Sequence, residues 1–303
     1  MTKLLPPTGG WGSPKIDVKS PVLYLPLWHP RMVARGGAIV NGTGTMDTSP
    51  TTLAVGANTI TATGAGTFII YCPEGGTCSS GTATITGSPV TLNSGTTTVT
   101  TGVTTGNFTV TSSNIIRSKD NNNHACTVIG ATWGSQGRTF DGDDYITAGN
   151  AASLQIASEI TIEAWFYPSV TAAHRTIVGR RQTNTNWQFN ISNSQKLYWS
   201  RWSATVQLDV SANTAMSTLA WHHGVVTYST TAGTKFYLDG QPDGTNATGG
   251  DLDTNATATT IGSFVEGIGS PFEQIIGEVR IYNRALSAVE ILQNYNAPKW
   301  RYT

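Results

Sequence analysis

In Ile160-Thr161-Ile162-Glu163-Ala164-Trp165-Phe166-Tyr167 the residues change face at every step, the period of a β-strand. Ile160, Ile162, Ala164 and Phe166 fall on one face, Thr161, Glu163, Trp165 and Tyr167 on the other. Lys235 to Leu238 reads the same way, with Phe236 and Leu238 aligned, and Asp239-Gly240 after it is a tight-turn signal. Trp187 to Ile191 and Leu197 to Trp199 flank Ser192-Asn193-Ser194-Gln195-Lys196, which predicts a hairpin. A helical period occurs once. Ser287 and Glu290 are spaced as a capping box, Ile291, Leu292 and Tyr295 form an apolar stripe, and Asn296-Ala297-Pro298 ends it.

Nearer the N-terminus, Val22 to Trp28 reads as a buried strand, with Pro26 placing it at a sheet edge or a bulge. The composition then changes. From Met32 to Ile116 there is no tryptophan or lysine, and the only charged residues are Arg35, Asp47 and Glu74. Short alternations of Thr with Ile, Val or Phe recur there, as in Thr67 to Tyr71 and Asn107 to Thr111, with turn residues about every 8 to 12 positions. This predicts a small β-domain.

Five blocks then follow in order: Arg138-Thr139-Phe140-Asp141-Gly142-Asp143-Asp144-Tyr145-Ile146, Ile160 to Pro168, Trp221-His222-His223, Lys235 to Gly240, and Gly277-Glu278-Val279-Arg280-Ile281-Tyr282. Together they resemble the laminin-G-like, concanavalin-A-like jelly-roll family. The resemblance covers residues 118–296 and implies an all-β fold, a jelly-roll β-sandwich. In that family a first strand precedes the loop that Asp120 to His124 resembles, and Val22 to Trp28 is the candidate for it. The implied organisation is an arm (1–20), a jelly roll (21–31 plus 117–296), a small β-sandwich inserted into it (32–116), and a tail (297–303). The alternative is an N-terminal domain that keeps 22–28 for itself.

Charge narrows the partners. Eighteen basic residues balance 18 acidic ones, and charged residues make up only 12%. There is no basic stripe for a phosphate backbone, which argues against nucleic acid. No apolar run approaches the roughly 20 residues that cross a bilayer, so no membrane insertion is expected. Met1 to Gly10 has no apolar signal core. Cys72 and Cys78 bracket a loop short enough for a disulfide, though two free thiols fit the sequence equally well, and Cys126 is the third cysteine.

Two clusters carry chemistry. Tyr198, Trp199, Arg201 and Trp202 gather aromatic faces and a guanidinium, suited to a sugar ring or to a subunit interface. By alternation, Tyr198 and Trp202 point out and Trp199 in. Asp141, Asp143 and Asp144 offer hard oxygen donors on a turn, the chemistry of calcium, or else a structural turn with aspartates bonded to backbone amides. Related jelly rolls often hold calcium at one rim, but Gly277 stands where the family commonly has an acid. The family's glucanases carry Glu-x-Asp-x-x-Glu, which is absent, and Glu163 and Glu278 read as partners for Arg180, Arg280 or Arg284. The expectation is a non-enzymatic binding or structural subunit on a virus particle surface, such as a phage decoration, head-fibre or tail-associated protein. Its partners would be itself, a capsid protein and glycans. The alternatives are a secreted or cell-surface adhesin and, further off, a glycan-cleaving enzyme.

Overall fold

A computed structural model describes residues 21–29 and 115–302 with their side chains, except 170–172, 183–184, 204–205 and 267–268; between 39 and 112 it describes only the backbone of strands. The arm 1–20 and the side chains of Cys72 and Cys78 lie outside the described residues. Strand β1 (Leu23–Leu25) comes first. β2 (Ile39–Met46), β3 (Gly56–Cys72), β4 (Thr77–Ser80), β5 (Thr91–Leu92), β6 (Gly95–Thr101) and β7 (Thr105–Ser112) form a six-stranded sheet of their own, in the order β2-β3-β7-β4-β5 with β6 on β3.

The rest is a sandwich of two antiparallel sheets, each eight-stranded. Its strands are β8 (Ile115–Arg117), β9 (Ala125–Ile129), β10 (Thr132–Gly134), β11 (Gly137–Asp141), β12 (Tyr145–Gly149), β13 (Glu159–Pro168), β14 (Arg175–Gln182) and β15 (Thr185–Ile191). β16 (Leu197–Ser203), β17 (Val206–Ser211), β18 (His222–Ser229), β19 (Gly233–Leu238), β20 (Gln241–Asn246), β21 (Thr259–Ile261) and β22 (Glu273–Tyr282) complete it. The front sheet runs β17-β16-β15-β14-β21-β12-β9-β8. The back sheet runs β10-β11-β22-β13-β18-β19-β20, with β1 also on β22.

The alternation of β13 has a direct structural meaning. Ile160, Ile162, Ala164 and Phe166 join Trp187, Phe189 and Trp199 of the front sheet in one apolar cluster. Its other face is buried too, because α1 (Ala288–Asn296) and α2 (Lys299–Tyr302) lie over it. α1 begins at the predicted capping box, with Ser287 and Glu290 bonded reciprocally. Ile291 packs beneath it with Val225, Tyr237, Tyr282 and Leu286.

β1 pairs with β22 in the register Leu23↔Ile281 and Leu25↔Val279, on the side of β22 whose other half pairs with β11. The strand stops before Pro26, as an edge position requires. Tyr24 O accepts from Lys119 N at 2.8 Å, and Asp120 Oδ2 accepts from Tyr24 N at 2.9 Å. The chain on the two sides of residues 30–114 is therefore bonded together at the rim of the sandwich.

The tail docks on the sandwich over residues 297–302. Pro298 does end α1, but residues 299–302 turn helical again and fold back. Tyr302 is 4% exposed, with its ring 4.5 Å from Trp165 and 4.6 Å from Trp221. A Cβ on Gly277 would come within 2.5 Å of that ring, so only glycine leaves room for it. Apolar burial and stacking are worth more to these aromatic residues than exposure as a free tail.

Candidate functional site

The outer face of the front sheet is open, and its side chains follow from strand geometry. On β16, Leu197 and Trp199 point to the core, so Tyr198, Ser200 and Trp202 point away from it. Their neighbours there are Gln188 from β15 and Gln207 and Asp209 from β17. With Arg181, His174 and Ser270 they line a shallow depression of about 200 Å³.

A bulge in β14 decides which arginine reaches it. The pairing with β15 slips between Thr176 and Val178, so both Ile177 and Val178 enter the core. Arg180 then points inward, where it donates to the carbonyls of Leu154, Asn255 and Thr257 and to Asn150 Oδ1. Arg181 points outward. Its guanidinium lies 4.0 Å from the Trp202 ring centroid and 4.8 Å from that of Phe264. Gly179 makes this possible: a Cβ there would come within 2.2 Å of Phe264 Cα, so its absence lets the loop at 263–264 lie on the sheet. Arg181 N donates to Phe264 O at 2.9 Å, which fixes the loop against the strand.

Electrostatics on this face are graded. Burial lowers the Arg181 pKa, opposed by Asp209. Burial, then the Asp209 carboxylate, raises that of Tyr198. Asp209 accepts from Gln207 Nε2 at 2.6 Å. The Tyr198 ring meets His174 edge-on at 4.8 Å. Beside them Asn190 is fully buried, and neither of its amide atoms has a partner among the described residues.

The aromatic cluster read from sequence is therefore split. Tyr198 alone of the four is partly exposed. Trp199 is 0% exposed and stacks on Trp187 at 5.8 Å. Arg201 is buried, donates to Gly249 O and lies over Tyr228. Trp202 faces outward as expected but is 4% exposed, because Arg181 covers its ring. Alternation gave the correct face for Trp202 and could not reveal its cover. Arg181, Gln188, Gln207, Asp209 and His174 were missed, since polar residues on neighbouring strands converge only once the register is set.

The match to known families follows this architecture. A family model described as the concanavalin A-like lectin/glucanases superfamily, Laminin_G_3, matches residues 140–292. The chain belongs to this superfamily. No curated protein matches it in sequence. Among solved structures, it is similar to the binding domain of Paraclostridial Mosquitocidal Protein 1, at 17% identity and a TM-score of 0.50 over 60% of this chain and 49% of that one. It is also similar to the botulinum neurotoxin serotype D binding domain (16%, TM-score 0.48, 60% and 48%). A third is the Ruminococcus gnavus IT-sialidase CBM40 bound to α2,3-sialyllactose (13%, TM-score 0.43, 48% and 86%). The chain spans about half the length of the toxin chains it matches. At these identities the first of these likenesses shows the shared sandwich.

The superfamily takes in glucanases as well as lectins, and two constellations of polar residues bear on catalysis. Glu163 and Glu278 are 1% and 2% exposed and both bind Arg280, at 2.8 and 2.6 Å. Tyr282 and Asn294 donate to Glu163, and Trp28 donates to Glu278. These carboxylates are committed to a buried network and do not straddle a cleft. Ser217 Oγ, His222 and Asp239 form a chain of 3.0 and 2.9 Å contacts. His222 Nδ1 faces the Asp239 carboxylate, and Nε2 lies 3.0 Å from both Ser217 Oγ and Ser217 O, so the imidazole ties the Asp239-Gly240 turn to the segment at Ser217.

Asp141, Asp143 and Asp144 do converge, each offering an oxygen within 4.8 Å of the others. Asp144 Oδ2 accepts from Asp141 N at 3.1 Å, the structural-turn bond. Burial, then the neighbouring acids, pushes the Asp144 pKa up to about 6. The hydrogen bond between Asp141 and Asp143 lowers the first and raises the second. The donors fit calcium in kind and supply three oxygens; backbone carbonyls and water would have to bring the number to about six to eight.

Proposed function

We propose that the sandwich is a binding module that holds a glycan in the depression on its front face. The observation that carries this reading is the open outer face of the front sheet, where polar side chains from four strands converge. Tyr198 offers the partly exposed ring for a sugar face. Gln207 and Asp209 offer the exposed donors and acceptors that hydroxyls need, over a buried floor of Gln188 and Ser200. A single such contact is weak, so copy number would supply avidity. This fits a surface subunit of a virus particle that contacts copies of itself and a capsid protein. The balanced charge and the second β-sheet unit at residues 39–112 support that setting.

Titration of the full chain against a glycan panel tests the site. Tyr198→Ala and Asp209→Ala should each weaken binding about tenfold or more with an unchanged Tm. Binding that persists in both variants would place the ligand elsewhere. Purified particles should contain the chain in multiple copies; a chain found only in the culture fluid would favour a secreted adhesin.

A further inference from the structure

We infer that the glycan held on the front face carries a carboxylate, and that Arg181 reads it. This rests on the glycan reading above and narrows it to acidic sugars.

The two adjacent arginines of β14 make the argument. Arg180 is engaged at all three nitrogens: three carbonyls and an amide oxygen accept four of its five protons. Arg175, Arg280 and Arg284 each have a carboxylate. Arg181 has neither arrangement. Among the described residues its one side-chain bond is from Nη1 to Gln188 Oε1, at 3.5 Å, the long limit of such a contact. No carboxylate among the described residues makes an ion pair with it. Asp209, across the depression, is engaged by Gln207.

The guanidinium is also held still. Contacts at 4.0 and 4.8 Å to the rings of Trp202 and Phe264 occupy its π-surface and leave its N–H edge for bonding. Such a fixed planar fork suits the two oxygens of a carboxylate, and little side-chain freedom is left to lose on binding. The guanidinium is partly exposed, and its open donors face the depression, where solvent reaches them in the free protein. A ligand carboxylate satisfies that charge, whereas a neutral sugar leaves it unneutralised. Tyr198, Gln207 and Asp209 stand beside it to meet the ring and the hydroxyls of the same sugar.

The test uses matched pairs on the full chain by calorimetry. One pair is 3′-sialyllactose and lactose; the other is a hyaluronan oligosaccharide and its carboxyl-reduced form. The acidic member of at least one pair should bind about tenfold tighter or more, as expected for a charge-assisted pair of bonds. That advantage should shrink as salt rises from about 0.05 to 0.5 M. In Arg181→Gln the ratio of acidic to neutral affinity should collapse to near one. Arg181→Lys, which keeps the charge but loses the fork, should retain only part of it. Equal binding of acidic and neutral members in both pairs overturns the acidic reading and leaves glycan binding standing. An acid preference that survives Arg181→Gln overturns the role of Arg181. No binding of any of the four overturns both readings. The wild-type pairs decide the matter even if the variants fail to fold.

Discussion

The two outer faces of the sandwich treat charge in opposite ways. On the back sheet, Glu163, Glu278 and Arg280 are nine-tenths buried or more and satisfy one another. Asn294 of α1 donates to Glu163, and Arg301 of α2 lies 3.5 Å from the Trp28 ring centroid, closing the network from above. On the front sheet no helix covers Arg181 among the described residues, and Asp209 acts on it only at a distance, without an ion pair. One face uses its ions to fasten the chain to itself. The other leaves donors and acceptors open. The lesson is that an ionic group signals a site only when its own protein leaves it unanswered.

That contrast can be broken in steps. The largest effect should come from Glu163→Ala, which takes one of the two buried carboxylates from Arg280 and the acceptor from Tyr282 and Asn294; breaking such a buried pair costs about 3–5 kcal/mol. Urea denaturation should show it, while Arg181→Gln on the open face, which gives up the stacking on Trp202 and Phe264, should cost only about 1–2 kcal/mol. Equal losses at the two positions would erase the distinction. Next, Tyr302→Ala should cost about 3 kcal/mol by removing a buried ring from Trp165 and Trp221. Gly277→Ala should weaken the same seat by about 1–3 kcal/mol through overpacking. An unchanged Tm in both would mean that α2 does not fasten this face.

The pH dependence sharpens the comparison further. Burial, then Arg280, pushes the His223 pKa down to about 3 from an ordinary 6.5. The unfolded chain takes up that proton as pH falls through about 6.5, and the folded chain does not until about 3. The contribution of His223 is therefore complete above 6.5 and is lost progressively below it. Asp144 runs the other way. With its pKa raised to about 6, the folded chain takes its proton before the unfolded chain does, so its contribution grows as pH falls from about 6 to 4. A Tm–pH curve should show both slopes, and Asp144→Asn should remove the second alone.

The smallest expected effect is calcium. If the Asp141–Asp144 turn binds it, calcium at tenfold over its Kd should stabilise the chain by about 1.4 kcal/mol, reversibly with chelator. The gain should fade below pH 6 as Asp144 protonates. No shift at neutral pH would leave the turn as a purely structural one.

Much of this was legible in the residues. Period two in Ile160 to Phe166, the capping box at Ser287 and Glu290, and the Asp239-Gly240 turn are local patterns, and each folds as it reads. Val22 to Trp28 stood out as a strand ahead of the composition change, and its Leu23–Leu25 pairs with β22 of the sandwich. Glu163 and Glu278 were matched to arginines, with Arg280 serving both.

Tertiary structure decided the rest. Strict alternation through Thr176-Ile177-Val178-Gly179-Arg180-Arg181 puts Arg180 on the outward face with Thr176; the bulge after Thr176 exchanges the two arginines. Trp202 points outward by sequence yet is covered by a residue 21 positions away, and Gly277 is explained by a ring 25 positions further on. A sequence fixes the period of a strand because neighbouring residues set it. What covers a side chain, and whether its charge finds a partner, depends on register and on distant segments, which exist only once the sheets have paired and packed.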